Sequence, residues 1–74
     1  MSLHKLIDKR VMVHTNSEQT YTGELKSFDQ KLNLMLTNCK LKTEDTETDM
    51  GGLLIRGDEI AFVGEIDGTL ENIS

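Results

Sequence analysis

The sequence predicts a mostly β fold: a short N-terminal α-helix followed by a strongly bent, five-stranded antiparallel sheet, which either closes into a small barrel or leaves its edges open. Three observations lead there. Apolar and polar residues alternate in short runs, the period of half-buried strands. Two of those runs change phase part-way, and one carries an internal glycine, Gly23, which marks a bend or bulge. Polar, turn-forming clusters separate the runs, and the chain contains no proline.

Taken in order, Ser2 is placed to cap a helix whose Leu3, Leu6 and Ile7 share one face. About two turns cannot stand alone, so the helix must lie on the sheet. "RVMVH" alternates, with Val11 and Val13 on one side, and "NSEQ" (16–19) is a turn without the glycine usual in a tight hairpin. "TYTGELKSF" (20–28) places Tyr21, Gly23 and Leu25 on one face, then shifts phase to reach Phe28. "KLNLMLTNCKLKT" (31–43) does the same with Leu32, Leu34 and Leu36 before Cys39 and Leu41. Phase shifts at matching places in neighbouring strands imply strong curvature. An acidic loop (44–50) then separates the third strand from "GGLLI" (51–55), and "EIAFVGEI" (59–66) completes the sheet before a polar tail (68–74). The last strand is the more apolar edge, suited to pairing with a strand of another subunit.

The 74 residues are read as a single domain, 1–74. A chain this short buries only roughly 60% of the surface its unfolded form exposes, so it needs added support. One cysteine, Cys39, excludes an internal disulfide, and His4 and His14 have no metal-ligand spacing around them. Oligomerisation is the support that remains. Asp45 to Asp49 has a D-x-E-x-D spacing, but Met50 and Arg56 stand where a calcium loop needs glycine and glutamate. No stretch is apolar enough for an export signal or a membrane span, so an intracellular chain is expected. Thirteen acidic against eight basic residues give a net charge of −5. Such a chain is a poor non-specific binder of nucleic acid, and any contact with it must be local or shared with neighbours.

No nucleophile elbow, redox motif, phosphate loop or metal cluster is present, so neither an enzyme nor a cofactor is expected. Two short loops carry the chemistry. "FDQKLN" (28–33) joins the second and third strands, and "RGD" (56–58) joins the fourth and fifth. Asn33 offers a donor and an acceptor that suit the edge of a base, and Arg56 a flat cation that can stack on its face. Gly57 permits a tight backbone approach, while Asp29 and Asp58 can orient Asn33 and Arg56. The same residues also fit a plainer reading, in which Asn33 satisfies a turn and Arg-Gly-Asp is a hairpin loop with a surface ion pair. Arg-Gly-Asp as an adhesion ligand fails on the missing export signal.

The order "LKSFDQKLNLML" then "LIRGDEIAFVG" resembles the two halves of the Sm signature, from Leu3 to Asp67. Within the Sm/Sm-like family, "SFDQKLNLML", "VGEID" and "LENIS" are most similar to the eighth-subunit branch, found in the nuclear ring on U6 snRNA. "DQ", "NL" and "GEID" are shared with the branch of the cytoplasmic mRNA-decay ring, which stands as the alternative. The resemblance implies a heteroheptameric ring in which the fourth strand of each subunit pairs with the fifth of its neighbour. It further implies a uracil site of Asp29, Lys31, Asn33, Arg56, Gly57 and Asp58 that grips the uridine-rich 3′ end of U6 snRNA in splicing. Lys31 departs from the aromatic or histidine usual at its position. A ring scaffold with an empty base pocket is therefore a further alternative.

Overall fold

The computed structural model describes residues 3–66 and 70–72. Six strands form one antiparallel sheet: β1 (Arg10–Thr15), β2 (Thr20–Phe28), β3 (Leu34–Lys42), β4 (Glu47–Ile55), β5 (Ile60–Glu65) and β6 (Leu70–Asn72). Their order across the sheet is β4-β3-β2-β1-β5-β6. β4 and β6 are the two edges, so the barrel stays open.

One face of this sheet is the core. Val13 lies opposite both Tyr21 and Val63, Leu25 opposite Leu36, and Leu34 opposite Ile55. These pairs alternate with outward residues because a strand turns successive side chains to opposite faces. Val11, Val13, Leu25, Leu34, Leu36, Cys39, Ile60 and Val63 are fully or almost fully buried in a single cluster. That cluster joins residues from both halves of the sheet, so the sheet folds over on itself. The bending is local. The β2–β3 ladder slips between Thr22 and Glu24 and again between Leu25 and Ser27, and the β3–β4 ladder slips between Leu36 and Cys39. Asn38 in that last slip has φ 50°, and its amide donates to Glu24 Oε1 at 3.1 Å. Gly23 suits the first: a side-chain carbon there would sit tightly, 3.0 Å from the Thr37 carbonyl oxygen and 3.1 Å from Cys39 Cα. The predicted phase shifts are these bulges.

Three expectations are corrected. The N-terminal segment is a four-residue 3-10 turn, Leu3–Leu6, not a two-turn α-helix. Asp8 takes φ 66°, and its N–H donates to the Leu25 carbonyl at 2.7 Å. That diverts the chain into the sheet before a second helical turn can form. Leu3 is nevertheless buried, with Leu6 and Ile7 packed against the core, as the shared face required. Ser2 lies outside the described residues.

The acidic loop is shorter than 44–50, because β4 begins at Glu47. Glu47 lies opposite Lys42 and within ion-pair distance of both Lys40 and Lys42, at 3.6 and 3.9 Å. Cross-strand opposite charge extends the pairing where no apolar alternation announces it. Only a turn is left, closed by Thr43 N–H to the Thr46 carbonyl at 2.9 Å.

The five expected strands are all present, and among the described residues a short sixth, β6, joins them. β6 lies in the segment read as a polar tail; the rest of 68–74 is outside the described residues. The outer edge of β5 is also not free as expected. β6 pairs with it, Phe62 opposite Asn72, Val63 opposite Glu71 and Gly64 opposite Leu70.

Core truncation tests the cluster that joins the two halves. Leu36→Ala should cost about 2–5 kcal/mol, the usual range for a buried leucine. In a domain this small that is a large share of total stability. Chemical denaturation should show a lowered midpoint or loss of the cooperative transition.

Candidate nucleic-acid interface

The loop between β2 and β3 is built on one carboxylate. Asp29 Oδ1 accepts the Lys31 and Asn33 backbone N–H groups at 2.9 and 3.0 Å, and Oδ2 accepts Asn33 Nδ2 at 2.9 Å. This is the local side-chain bonding that favours aspartate in turns. Leu32 completes the reversal with φ 62°, its N–H donating to the Asp29 carbonyl at 3.0 Å. Three N–H donors favour the ionised form and hold the Asp29 carboxyl below its ordinary range, the Asn33 side chain contributing most.

The second loop docks on the first. Asn33 Oδ1 accepts the Gly57 N–H at 2.8 Å, across a separation of 24 residues. The approach is close. A side-chain carbon on Gly57 would collide with the Lys31 carbonyl oxygen and lie 2.8 Å from the Leu32 carbonyl. Gly57–Glu59 form a short 3-10 turn between β4 and β5. Arg56 precedes it in extended conformation, and its exposed guanidinium donates to Asp58 Oδ2 at 2.8 Å. An ion pair so exposed contributes about 0–1 kcal/mol, so its effect is to orient the guanidinium rather than to stabilise the fold.

All six residues singled out in the sequence therefore lie on two loops, and the loops touch. Asp29 orients Asn33 and Asp58 orients Arg56 through hydrogen bonds. The turn reading of Asn33 is correct as far as it goes, since its backbone and side chain both satisfy the loop. It leaves out the bond to Gly57. With one amide hydrogen given to Asp29 and one lone pair to Gly57, Asn33 keeps one donor and one acceptor for a ligand. Such a pair matches a heterocycle that presents an N–H beside a carbonyl. Lys31 is exposed, and among the described residues it is hydrogen-bonded through its backbone N–H, to Asp29.

One supporting residue escaped the sequence reading. Asn16, in the β1–β2 turn, donates its N–H to the Glu59 carbonyl at 2.8 Å and its amide to the Asp58 carbonyl at 3.3 Å. It braces the Arg-Gly-Asp turn from the far side. The signal available was a turn of four residues without glycine. Glu18 takes the left-handed conformation there, at φ 64°.

The model of the LSM domain matches residues 1–65, nearly the whole chain. The chain belongs to the Sm-like family. A "Probable U6 snRNA-associated Sm-like protein" of Encephalitozoon cuniculi is 39% identical over 62 residues, covering 84% of this chain and 83% of the relative. The "LSM2-LSM8 complex subunit lsm8" of Schizosaccharomyces pombe is 34% identical over 77 residues, covering 97% and 82%. Among solved structures, a heptameric archaeal Sm protein superposes with TM-score 0.83 at 28% identity, over 86% of this chain and 94% of that one. The Sm protein of Pyrococcus abyssii in complex with a uridine heptamer gives TM-score 0.81 at 25% identity, over 85% and 90%.

Two outcomes test the coupling of the loops within this Sm-like chain. Gly57→Ala should separate them, because backbone carbonyls cannot yield as a flexible side chain would. NMR should show the residue-57 amide losing its hydrogen-bonded shift and protection from exchange, together with perturbed Asn33 amide signals. The second outcome concerns pH. Asp29 titrates lower in the folded chain than in the unfolded one, so its stabilising contribution is complete above the ordinary aspartate range and is lost as pH falls through the lowered value. The Asn33 side-chain signals should stay native below about pH 4, where a free aspartate is already protonating. They should change only on further acidification, and Asp29→Asn should remove that transition.

Proposed function

We propose that the chain is a non-catalytic RNA-binding subunit of a heteroheptameric Sm-like ring, holding the uridine-rich 3′ end of U6 snRNA during pre-mRNA splicing in the nucleus. The observation that carries the site is the Asn33 amide, fixed from one side by Asp29 and from the other by Gly57. A side chain held this way binds without losing further rotamer freedom, which is what a weak single-base site requires. The relatives named for U6 snRNA and for an eight-numbered Sm-like complex support the choice of RNA, and the uridine-bound neighbour supports the base.

Each residue then has a role. Asn33 reads the uracil edge with its remaining donor and acceptor. Arg56, aimed by Asp58, stacks its guanidinium plane on one face of the base. Gly57 brings the two loops into register, and Asp29 presets the amide. Lys31 has no π face to close a sandwich, so the base is stacked on one side only, and its ammonium is left to meet a backbone phosphate.

Base stacking contributes about 1–3 kcal/mol per base, so one protomer binds weakly and the linked sites of a ring act together. The isolated chain should bind oligouridine poorly. In the assembled complex, Arg56→Ala should weaken oligouridine binding by about fivefold to a hundredfold, the equivalent of one stacked base. Unchanged affinity in both Arg56→Ala and Asn33→Ala would instead make the chain a scaffold with an empty pocket. Lys31→Met should lower affinity for all sequences alike and reduce the slope of log affinity against log salt by about 0.7, one phosphate's share. Recovery of the tagged protein from its own cells, with crosslinked RNA, tests the assignment as a whole. U6 snRNA 3′ ends with six other Sm-like subunits are expected; deadenylated mRNA with decapping factors would assign the chain to the cytoplasmic ring.

A further inference from the structure

The two edges of the sheet are unequal. β4 is nine residues long, from Glu47 to Ile55; one side of it pairs with β3, and among the described residues the other is unpaired. Leu54 and Met50 are exposed on this strand, and Met35, opposite Leu54, is exposed beside it. The other end of the sheet is closed by β6, three residues paired with Phe62, Val63 and Gly64 of β5. Phe62 stays exposed there.

A free, long edge on one end of a protomer invites a strand from another copy of the fold. Head-to-tail pairing of unlike edges repeats around an axis and closes when the rotation allows, which is the symmetry of a ring. For β4 of one subunit, the matching acceptor in the next is the far edge of its sheet. In this chain the long strand at that end, β5, already has its outer edge occupied by its own β6. Both pairings use the same N–H and C=O groups, so they exclude each other.

We propose that β6 is a displaceable cap on the subunit interface: Leu70–Asn72 occupy the β5 edge in the free protomer, and the β4 strand of a neighbouring Sm-like subunit replaces them on assembly. This inference rests on the proposed ring. The exchange favours assembly in backbone terms. A nine-residue strand can pair along the whole of β5, from Ile60 to Glu65, whereas β6 reaches three of its residues. It also covers apolar surface at both Leu54 and Phe62. The cap meanwhile protects the free protomer from edge-to-edge aggregation, the hazard of an exposed apolar strand.

The test compares three proteins in the absence of RNA, alone and together with the Sm-like subunits that copurify with the chain. They are the full chain, a chain ending at Thr69 that lacks β6, and the full chain carrying Phe62→Cys with Asn72→Cys, which places a cysteine pair at registered positions. Particle mass is read by light scattering and native mass spectrometry over a range of concentrations. The shortened chain should assemble at a concentration at least several-fold lower than the full chain. The cysteine pair, once oxidised, should stay out of the assembly and enter it on reduction. Equal assembly of the full and shortened chains, or incorporation of the oxidised pair, overturns the proposal. Because mass is read without RNA, this result is separate from uridine binding. An assembled ring that ignores oligouridine would count against the proposed function and not against the cap.

Discussion

The hydrogen bond from the Gly57 N–H to Asn33 Oδ1 is the constraint on which the site depends. It joins two loops that are distant in sequence, and it fixes three things together. The residue at 57 must be glycine, because the carbonyls of Lys31 and Leu32 leave no room for a side chain. The Asn33 amide must present its nitrogen to Asp29, since its oxygen faces a donor. Arg56 must emerge beside that amide, one residue before the contact. The Arg56 guanidinium and the Asn33 amide are thus placed by a single backbone-to-side-chain bond, with Asn16 bonded to the carbonyls of the same turn.

That bond can form only if the sheet curls. In a flat sheet, the β2–β3 loop and the β4–β5 turn would leave the same end without being pressed together. Bulges at Gly23, Asn38 and the Leu25–Ser27 step take up the curvature, and the buried cluster from Val13 to Ile55 holds it. Core packing and site geometry are therefore one problem here. A cavity in the cluster would be felt at Asn33 through the start of β3, where buried Leu34 directly follows it.

Much of this was legible in the sequence, because the signals were local. Alternating valines and leucines marked β1 to β3, the internal glycine and phase shifts marked the bulges, and aspartate, asparagine and glycine marked the loops. The features that were not legible are set by partners distant in the chain. The helix stops at one 3-10 turn because Leu25 captures the Asp8 N–H. β4 starts early because lysines on β3 offset Glu47, in a stretch whose own composition reads as loop. Asn16 looked like an ordinary turn residue until the Asp58 and Glu59 carbonyls came to lie beside it. Even the collision that dictates Gly57 is invisible until the Lys31 carbonyl is brought up against it.

In the proposed site, the charge distribution would separate base reading from phosphate neutralisation. With a net charge of −5, this chain repels a phosphate backbone at long range. Within the two loops the balance is local: Asp29 is consumed by three N–H donors, and Asp58 faces Arg56. Arg56, with its charge offset, is suited to stack, because a paired guanidinium keeps its flat faces free while its edge is bonded. Lys31 is exposed, and among the described residues its hydrogen bond is made by its backbone N–H. Among the described residues the loop pair thus offers an amide edge, a flat guanidinium face and the exposed Lys31, which in the proposed function suit one nucleotide rather than a strand. Affinity for longer RNA must then come from repetition of such sites around an assembly. The acidic remainder of the chain favours more basic neighbours over copies of itself, since like charges brought edge to edge oppose homomeric pairing.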